Sequence, residues 1–169
     1  QWGDAWWAAL SWDTIANWPA RTRGEAFVHE SFHILQQRHL VNARYESPTA
    51  GASVPTENEH LDTVEGRDWL RLEWRALARA LRESGDARVL AAREALAFRK
   101  ARHARFPANA ESERAYDIIE GFPSYTQTVL AAPSEVAAIA RGLELLTSAE
   151  ENESFVRTFS YTSGPAYGL

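Results

Sequence analysis

The stretch His29-Glu30-Ser31-Phe32-His33 constrains this chain most, because it has the form H-E-x-x-H inside a segment that is predicted to be helical. In a helix over Phe27 to Leu40, the two histidines project from one face about one turn apart. Two imidazoles so placed can share one zinc ion, and Glu30 then lies beside the metal, where it can take a proton from water. The flanking residues predict a buried helix; they are Phe27, Val28, Phe32, Ile34 and Leu35. Burial of the polar trio without partners would cost on the order of several kcal/mol, and a metal would remove that cost.

The composition predicts one globular domain over residues 1–169, because 45% of the residues are hydrophobic and the length suits a single core. A net charge of −5 offers no positive field for nucleic acid, and no apolar run is long enough for a membrane span. With no cysteine present, any metal must be bound by His, Asp or Glu. The chain starts at Gln1 and holds no Met, which indicates processing or trimming and leaves an exported, periplasmic or secreted protein open. Gly164-Pro165 is expected to form a turn, and the sequence stops soon after it. The chain is therefore expected to be a fragment of a longer one.

The expected fold class is α+β and predominantly α, with a small amino-terminal sheet. Four tryptophans between Trp2 and Trp12 predict a short strand over Ala5 to Ser11, with core packing as their default use. Helices are predicted from Thr22 or Arg23 to about Asn42, from a capping box at Thr56 to Arg82, over Ala87 to Arg105, from Glu111 toward Leu130 with a break at Gly121 and Pro123, from Pro133-Ser134 onward, and over Glu151 to Tyr161. In the Thr56–Arg82 segment the predicted core positions are Leu61, Val64, Leu70, Trp74, Leu77 and Leu81.

A zinc ion in a catalytic site usually has three protein ligands, so the two histidines require a third. Candidates among the downstream residues are Glu57, Glu59, His60, Glu65, Glu73, His103, Glu113, Asp117 and Glu120. Glu120 stands out because Ile118-Ile119 precede it and Gly121-Phe122 follow it, a setting in which an unpaired carboxylate would be costly. Asp117 is predicted to accept a hydrogen bond from the second nitrogen of a metal-bound histidine.

The segment Glu120-Gly121-Phe122-Pro123-Ser124-Tyr125 resembles the E-G-F-x-S-Y region of the gluzincin metallopeptidases, the aminopeptidase-like branch of the zincins. The resemblance implies a zincin-like domain that hydrolyses peptide bonds of a peptide or protein substrate. It implies His29, His33 and Glu120 as Zn²⁺ ligands and Glu30 as the general base. By analogy with the downstream tyrosine of that family, Tyr161 is expected to stabilise the oxyanion. The tryptophan-rich opening is expected to supply the edge strand that pairs with an extended substrate.

The chain departs from the family pattern at Ile119, where asparagine is common, and at Pro123, where a small helix-compatible residue is usual. Pro123 lacks an amide hydrogen and disfavours helical geometry at Phe122, so we expect the helix to kink or restart there.

Two other interpretations remain open at the level of sequence. Glu30-x-x-His33 and Glu57-x-x-His60 each have the form E-x-x-H that di-iron carboxylate bundles use twice, with Glu73 and Glu120 as further carboxylates. Alternatively, the chain is a catalytically inactive zincin-like domain that binds a peptide or a partner protein. Metal analysis distinguishes the first alternative from a hydrolase, and replacement of Glu30 distinguishes the second.

Overall fold

The computed structural model describes residues 5–36 and 56–169, apart from the side chains of residues 56 and 57, and these residues are mostly helical. The predominantly α class is therefore confirmed. The small amino-terminal sheet is not confirmed, because Ala5 forms an isolated bridge and residues 6–11 have no regular secondary structure. The predicted course of the metal-motif helix beyond Gln36 and the loop before Thr56 lie outside the described residues. None of the described helices is both long enough and apolar enough to cross a bilayer.

The helices follow one another closely along the described parts of the chain. Their bounds are α1 Trp12–Ile15, α2 Ala20–Leu35, α3 Val64–Arg82, α4 Gly85–Arg105, α5 Ala110–Tyr116, α6 Phe122–Leu130, α7 Glu135–Ala149 and α8 Phe159–Gly168, with a 3₁₀ segment over Thr56–Asp62 and a π-helical turn over Asp117–Gly121.

Helix α3 begins later than predicted. The hydroxyl of Thr63 accepts a hydrogen bond from the amide of Gly66 at 3.0 Å and caps the helix, whereas the predicted capping box at Thr56 lies in the 3₁₀ segment. Val64 is consequently the first helical residue and is exposed, so its placement in the core was wrong. At the other end Gly85 adopts φ +56°, which glycine tolerates without strain, and α4 turns back to pack along α3.

The hydrophobic core forms around α3. The other predicted core residues of this segment are all buried: Leu61, Leu70, Trp74, Leu77 and Leu81. Trp74 packs against Phe155 at 4.9 Å between ring centroids, and its indole nitrogen donates to Ser163 at 2.9 Å. These contacts join α3 to the carboxy-terminal part of the chain, including α8.

The described tryptophans near the amino terminus do not belong to this core. Trp7 and Trp12 are 66% and 64% exposed and Trp6 is also exposed, so the expected core packing was wrong for these three residues. Trp18 is exposed as well.

Helix α2 buries polar residues rather than its apolar flanks. Glu25, His29 and Gln36 are buried, while Phe27 and Leu35 are each half exposed, which contradicts the expected burial of the flanks. Helix α2 packs against α6, and polar contacts with α6, α7 and the π-helical turn fix its orientation.

The predicted turn at Gly164-Pro165 is wrong, because both residues lie inside α8. The predicted helix over Glu151 to Tyr161 begins only at Phe159. Gly164 meets Gly121 of the π-helical turn so closely that a Cβ atom at position 164 would overlap the Gly121 backbone. This approach brings α8 against the turn that carries Glu120.

Candidate metal centre

The two histidines of the H-E-x-x-H motif and Glu120 lie together in the folded chain. The Nε2 atom of His29 is 3.1 Å from Oε2 of Glu120, and the Nε2 atom of His33 is 3.7 Å from the same oxygen. One ligand atom from each of the three residues lies within 4.8 Å of the others, and His29 is the most buried of them. Within the described ranges this is the group of three histidine or acidic residues whose spacing suits a metal ion.

Glu120 reaches this position from the π-helical turn. Helix α6 starts at Phe122, just past Glu120, so the expected restart of the helix is confirmed, although Phe122 keeps helical φ −65° and ψ −47°. The irregularity before it is the wider turn, a form that often accompanies functional sites. Pro123 cannot donate to the carbonyl of Ile119, and that carbonyl accepts from the side chain of Gln36 at 3.3 Å.

Gln36 fixes the tautomer of His33. Its amide nitrogen donates to the carbonyls of Ile118 at 2.7 Å and Ile119 at 3.3 Å, so its amide oxygen must be the atom that lies 2.8 Å from Nδ1 of His33. An amide oxygen can only accept, so Nδ1 of His33 carries the hydrogen. In the neutral ring the lone pair is then on Nε2, the atom that lies near Glu120.

His29 has the same arrangement through a different residue. The amide oxygen of Gln127, on α6, lies 2.9 Å from Nδ1 of His29, and in this orientation of the amide the hydrogen is on that nitrogen. Nε2 of His29 lies 3.1 Å from Oε2 of Glu120, and its role in this contact depends on the tautomer of the ring. A hydrogen on Nε2 or a shared cation satisfies the contact. The donor set, two imidazoles and one carboxylate, suits zinc.

Tyr161 lies at the same site. Its hydroxyl donates to Oε2 of Glu120 at 2.6 Å, and its ring stacks on His29 with 5.4 Å between centroids. Burial, followed by the negative charge of Glu120, raises the pKa of the Tyr161 hydroxyl above its usual range, so the group stays a donor. Burial would also raise the pKa of Glu120, but hydrogen bonds from His29 and Tyr161 outweigh it, and the net pKa is lowered.

Glu30 is partly exposed on α2, next to His29. The pKa of the Tyr161 hydroxyl is raised mainly by burial and by the charge of Glu120, and the charge of Glu30 is a smaller cause of the same shift. The charge of Glu30 is therefore close enough to act on the Tyr161 hydroxyl.

The prediction for Asp117 was wrong. Its carboxylate accepts from Nη1 of Arg99 at 2.7 Å and from the hydroxyl of Ser160 at 2.6 Å, and the histidine nitrogens are instead oriented by Gln36 and Gln127.

The residues of the di-iron alternative are engaged elsewhere. Glu73 is buried between Arg99 and Arg102, and Nε2 of His60 lies 2.7 Å from Glu113. Glu113 also contacts Arg102 and His103, at 2.8 Å and 3.1 Å. These groups form a buried ion-pair network in which arginines already occupy the carboxylates, and the side chain of Glu57 lies outside the described residues. The described part of the chain therefore does not bring His60 or Glu73 to Glu120.

The two glutamines are the site residues that the sequence did not single out. Gln36 lies three positions after His33, a spacing at which helical neighbours meet, so a signal was present. Gln127 comes from another helix, and only the packing of α6 on α2 brings it to His29. Comparisons with protein-family models, with curated proteins and with solved structures found no match.

Proposed function

We propose that this protein is a zinc-dependent metallopeptidase. In this proposal His29, His33 and Glu120 bind the metal, Glu30 is the general base, and Tyr161 stabilises the oxyanion. The substrate is a peptide or a protein, and the reaction is hydrolysis of a peptide bond.

The observation that carries the proposal is the cluster of His29, His33 and Glu120, in which one ligand atom of each residue lies within 4.8 Å of the others. The tautomer of His33 leaves its Nε2 atom free for a metal. Both Nδ1 atoms lie against amide oxygens, the kind of support that metal-binding histidines have in other proteins. Metal binding is therefore the first property to test.

The chemistry divides among the residues of the site. Bound zinc would polarise the substrate carbonyl and activate a water molecule. Glu30 accepts the proton of the attacking water and returns it to the leaving amine. The hydroxyl of Tyr161, which stays protonated, would turn its single O–H from Glu120 to the oxygen that gains negative charge.

The proposal includes a zincin-like arrangement of the domain. The packing of α2 against α6, with Glu120 in the turn that precedes α6, agrees with the order of motifs in gluzincins. The small sheet and the substrate-pairing strand of that arrangement have no support among the described residues.

Two measurements test this function. Elemental analysis and zinc titration should give one zinc per chain, and binding should be lost in His33→Ala. Cleavage of a general peptide library should stop with a chelator and return with zinc. Glu30→Gln should keep the zinc and slow cleavage by about 10² to 10⁴-fold, whereas Glu135→Gln, the same change at an exposed residue of α7, should have no effect. One zinc with no cleavage would leave only a binding domain, and no zinc at all would contradict the proposal.

A further inference from the structure

A cavity of about 450 Å³ lies beside the π-helical turn, and none of the proposed zinc ligands lines it. Its walls come from α4, α5, the turn, α6 and α8. The residues that matter for recognition are Arg99, Arg114, Asp117, Phe122, Tyr125 and Tyr167. The volume is in the range of sites that hold small molecules.

Aromatic side chains form much of the apolar lining, with Phe122 and Tyr125 on α6 and Tyr167 on α8. Gly168 lies against the ring of Tyr125, where a Cβ atom would overlap it. Aromatic rings offer a large, rigid contact area, so this wall suits a flat apolar group.

Arg99 is the polar group that is best prepared for a ligand. Its Nε donates to Glu73 at 2.9 Å, its Nη1 donates to Asp117 at 2.7 Å, and its Cζ lies 4.4 Å from the centre of the Tyr167 ring. The guanidinium is thus held in one orientation, while Nη2 is buried and has no hydrogen-bond partner among the described residues. About one fifth of the side chain, 20%, is exposed and Arg99 lines the cavity, so a ligand there can contact this side chain.

Two guanidinium groups and one carboxylate line the cavity. Arg99 and Arg114 are positive and Asp117 is negative, while Glu73, which also pairs with Arg99, lies outside the lining. Both carboxylate oxygens of Asp117 already accept hydrogen bonds, from Arg99 and Ser160. Arg114 pairs with Glu111, but both side chains are largely exposed and such a pair is weak.

We propose that this cavity binds a small monocarboxylate with an aromatic body. The carboxylate is directed toward the guanidinium groups of Arg99 and Arg114, and the ring lies against Phe122, Tyr125 and Tyr167. This site does not depend on the metal, so it stands or falls separately from the proposed peptidase.

The probe is 3-phenylpropanoate, titrated into the isotopically labelled protein with a chelator present, so that the carboxylate cannot bind through a metal. We expect saturable amide shifts in the π-helical turn and in α8, with a dissociation constant on the order of 1 mM for a ligand of this size. The uncharged 3-phenylpropanamide should bind at least about fivefold more weakly.

Two variants place the probe in the cavity. Ile118→Trp fills the cavity from a half-exposed position and should abolish binding, whereas Val136→Trp, at an exposed residue of α7 outside the cavity, should not. Arg114→Gln changes an exposed side chain and should weaken binding about threefold without affecting the fold. The proposal would be overturned by equal binding of the acid and the amide, or by binding to a folded Ile118→Trp variant. It would also be overturned if no amide shifts occur at probe concentrations up to about ten times the expected dissociation constant.

Discussion

Replacement of Gln127 tests whether the protein orients His29 for a metal. Gln127→Leu keeps the approximate size of the side chain but removes the amide oxygen that lies 2.9 Å from Nδ1 of His29. Because His29 is buried, its Nδ1–H group would then lack an acceptor, and the other tautomer, with hydrogen on Nε2, would become more favourable. That tautomer has no lone pair for a metal on the side of Glu120.

The expected loss has two parts. Loss of a group that orients a metal-binding histidine typically weakens metal affinity about 10- to 100-fold, or about 1.4 to 2.7 kcal/mol. The metal-free protein should also lose about 1 to 3 kcal/mol of unfolding free energy, because a buried donor is left without a partner. Gln127→Glu retains an oxygen acceptor at the same position. Its zinc affinity should therefore be close to that of the unchanged protein and no weaker than that of Gln127→Leu.

Zinc affinity is measured by competition with a coloured chelator, and urea unfolding of the metal-free proteins supplies the stability difference. Thr126→Val, at a partly exposed neighbour of Gln127, is the control for changes in α6. Unchanged zinc affinity in Gln127→Leu, or equal losses in the Leu and Glu variants, would show that the amide oxygen does not orient His29.

Three further predictions concern stability and catalysis. Gly164→Ala should lower the unfolding free energy by about 1 to 3 kcal/mol, because the added Cβ overlaps the backbone of Gly121. In the control Gly24→Ala, the added Cβ meets open space in α2, and the unfolding free energy should rise by up to about 1 kcal/mol. Urea unfolding measures both variants, and equal effects would refute the close approach of Gly164 to Gly121. Burial acts to raise the pKa of Glu113, but hydrogen bonds from His103, His60 and Arg102 outweigh this effect and hold the pKa well below the ordinary 4.5. The ionised carboxylate therefore stabilises the fold above pH 4.5, and this stabilisation is lost as the pH falls below 4.5. Urea unfolding between about pH 5 and pH 3 should therefore show a steep loss of stability, and Glu113→Gln should flatten this slope; an unchanged slope would exclude this carboxylate as the cause. If the proposed peptidase activity is found, Tyr161→Phe should lower kcat by about 10²- to 10³-fold with little change in zinc content, and a variant of undiminished kcat would remove Tyr161 from the mechanism.

Local patterns carried much of the prediction. The apolar spacing of Leu70, Trp74, Leu77 and Leu81 identified the buried face of α3, because helical periodicity depends only on neighbouring positions. The H-E-x-x-H spacing placed two histidines on one helix face for the same reason, and the apolar surroundings of Glu120 indicated a carboxylate that needs partners.

The errors arose where exposure depends on the residue at which a helix begins or on how the helices pack. Val64 fits the helical pattern of α3 but is exposed, since the Thr63 cap makes it the first residue of the helix. The tryptophans near the amino terminus are hydrophobic enough for a core, yet they are exposed in the described structure.

The sequence alone thus predicted a helical domain. Its candidate metal ligands were a pair of imidazoles and an acidic residue far along the chain. Whether those groups meet depended on the packing of α2 against α6 and of α8 against the π-helical turn. The same packing brought Gln127 to His29 and the Tyr161 hydroxyl to Glu120, contacts that join residues 98 and 41 positions apart. Such contacts follow from the relative placement of whole helices, which no local spacing encodes.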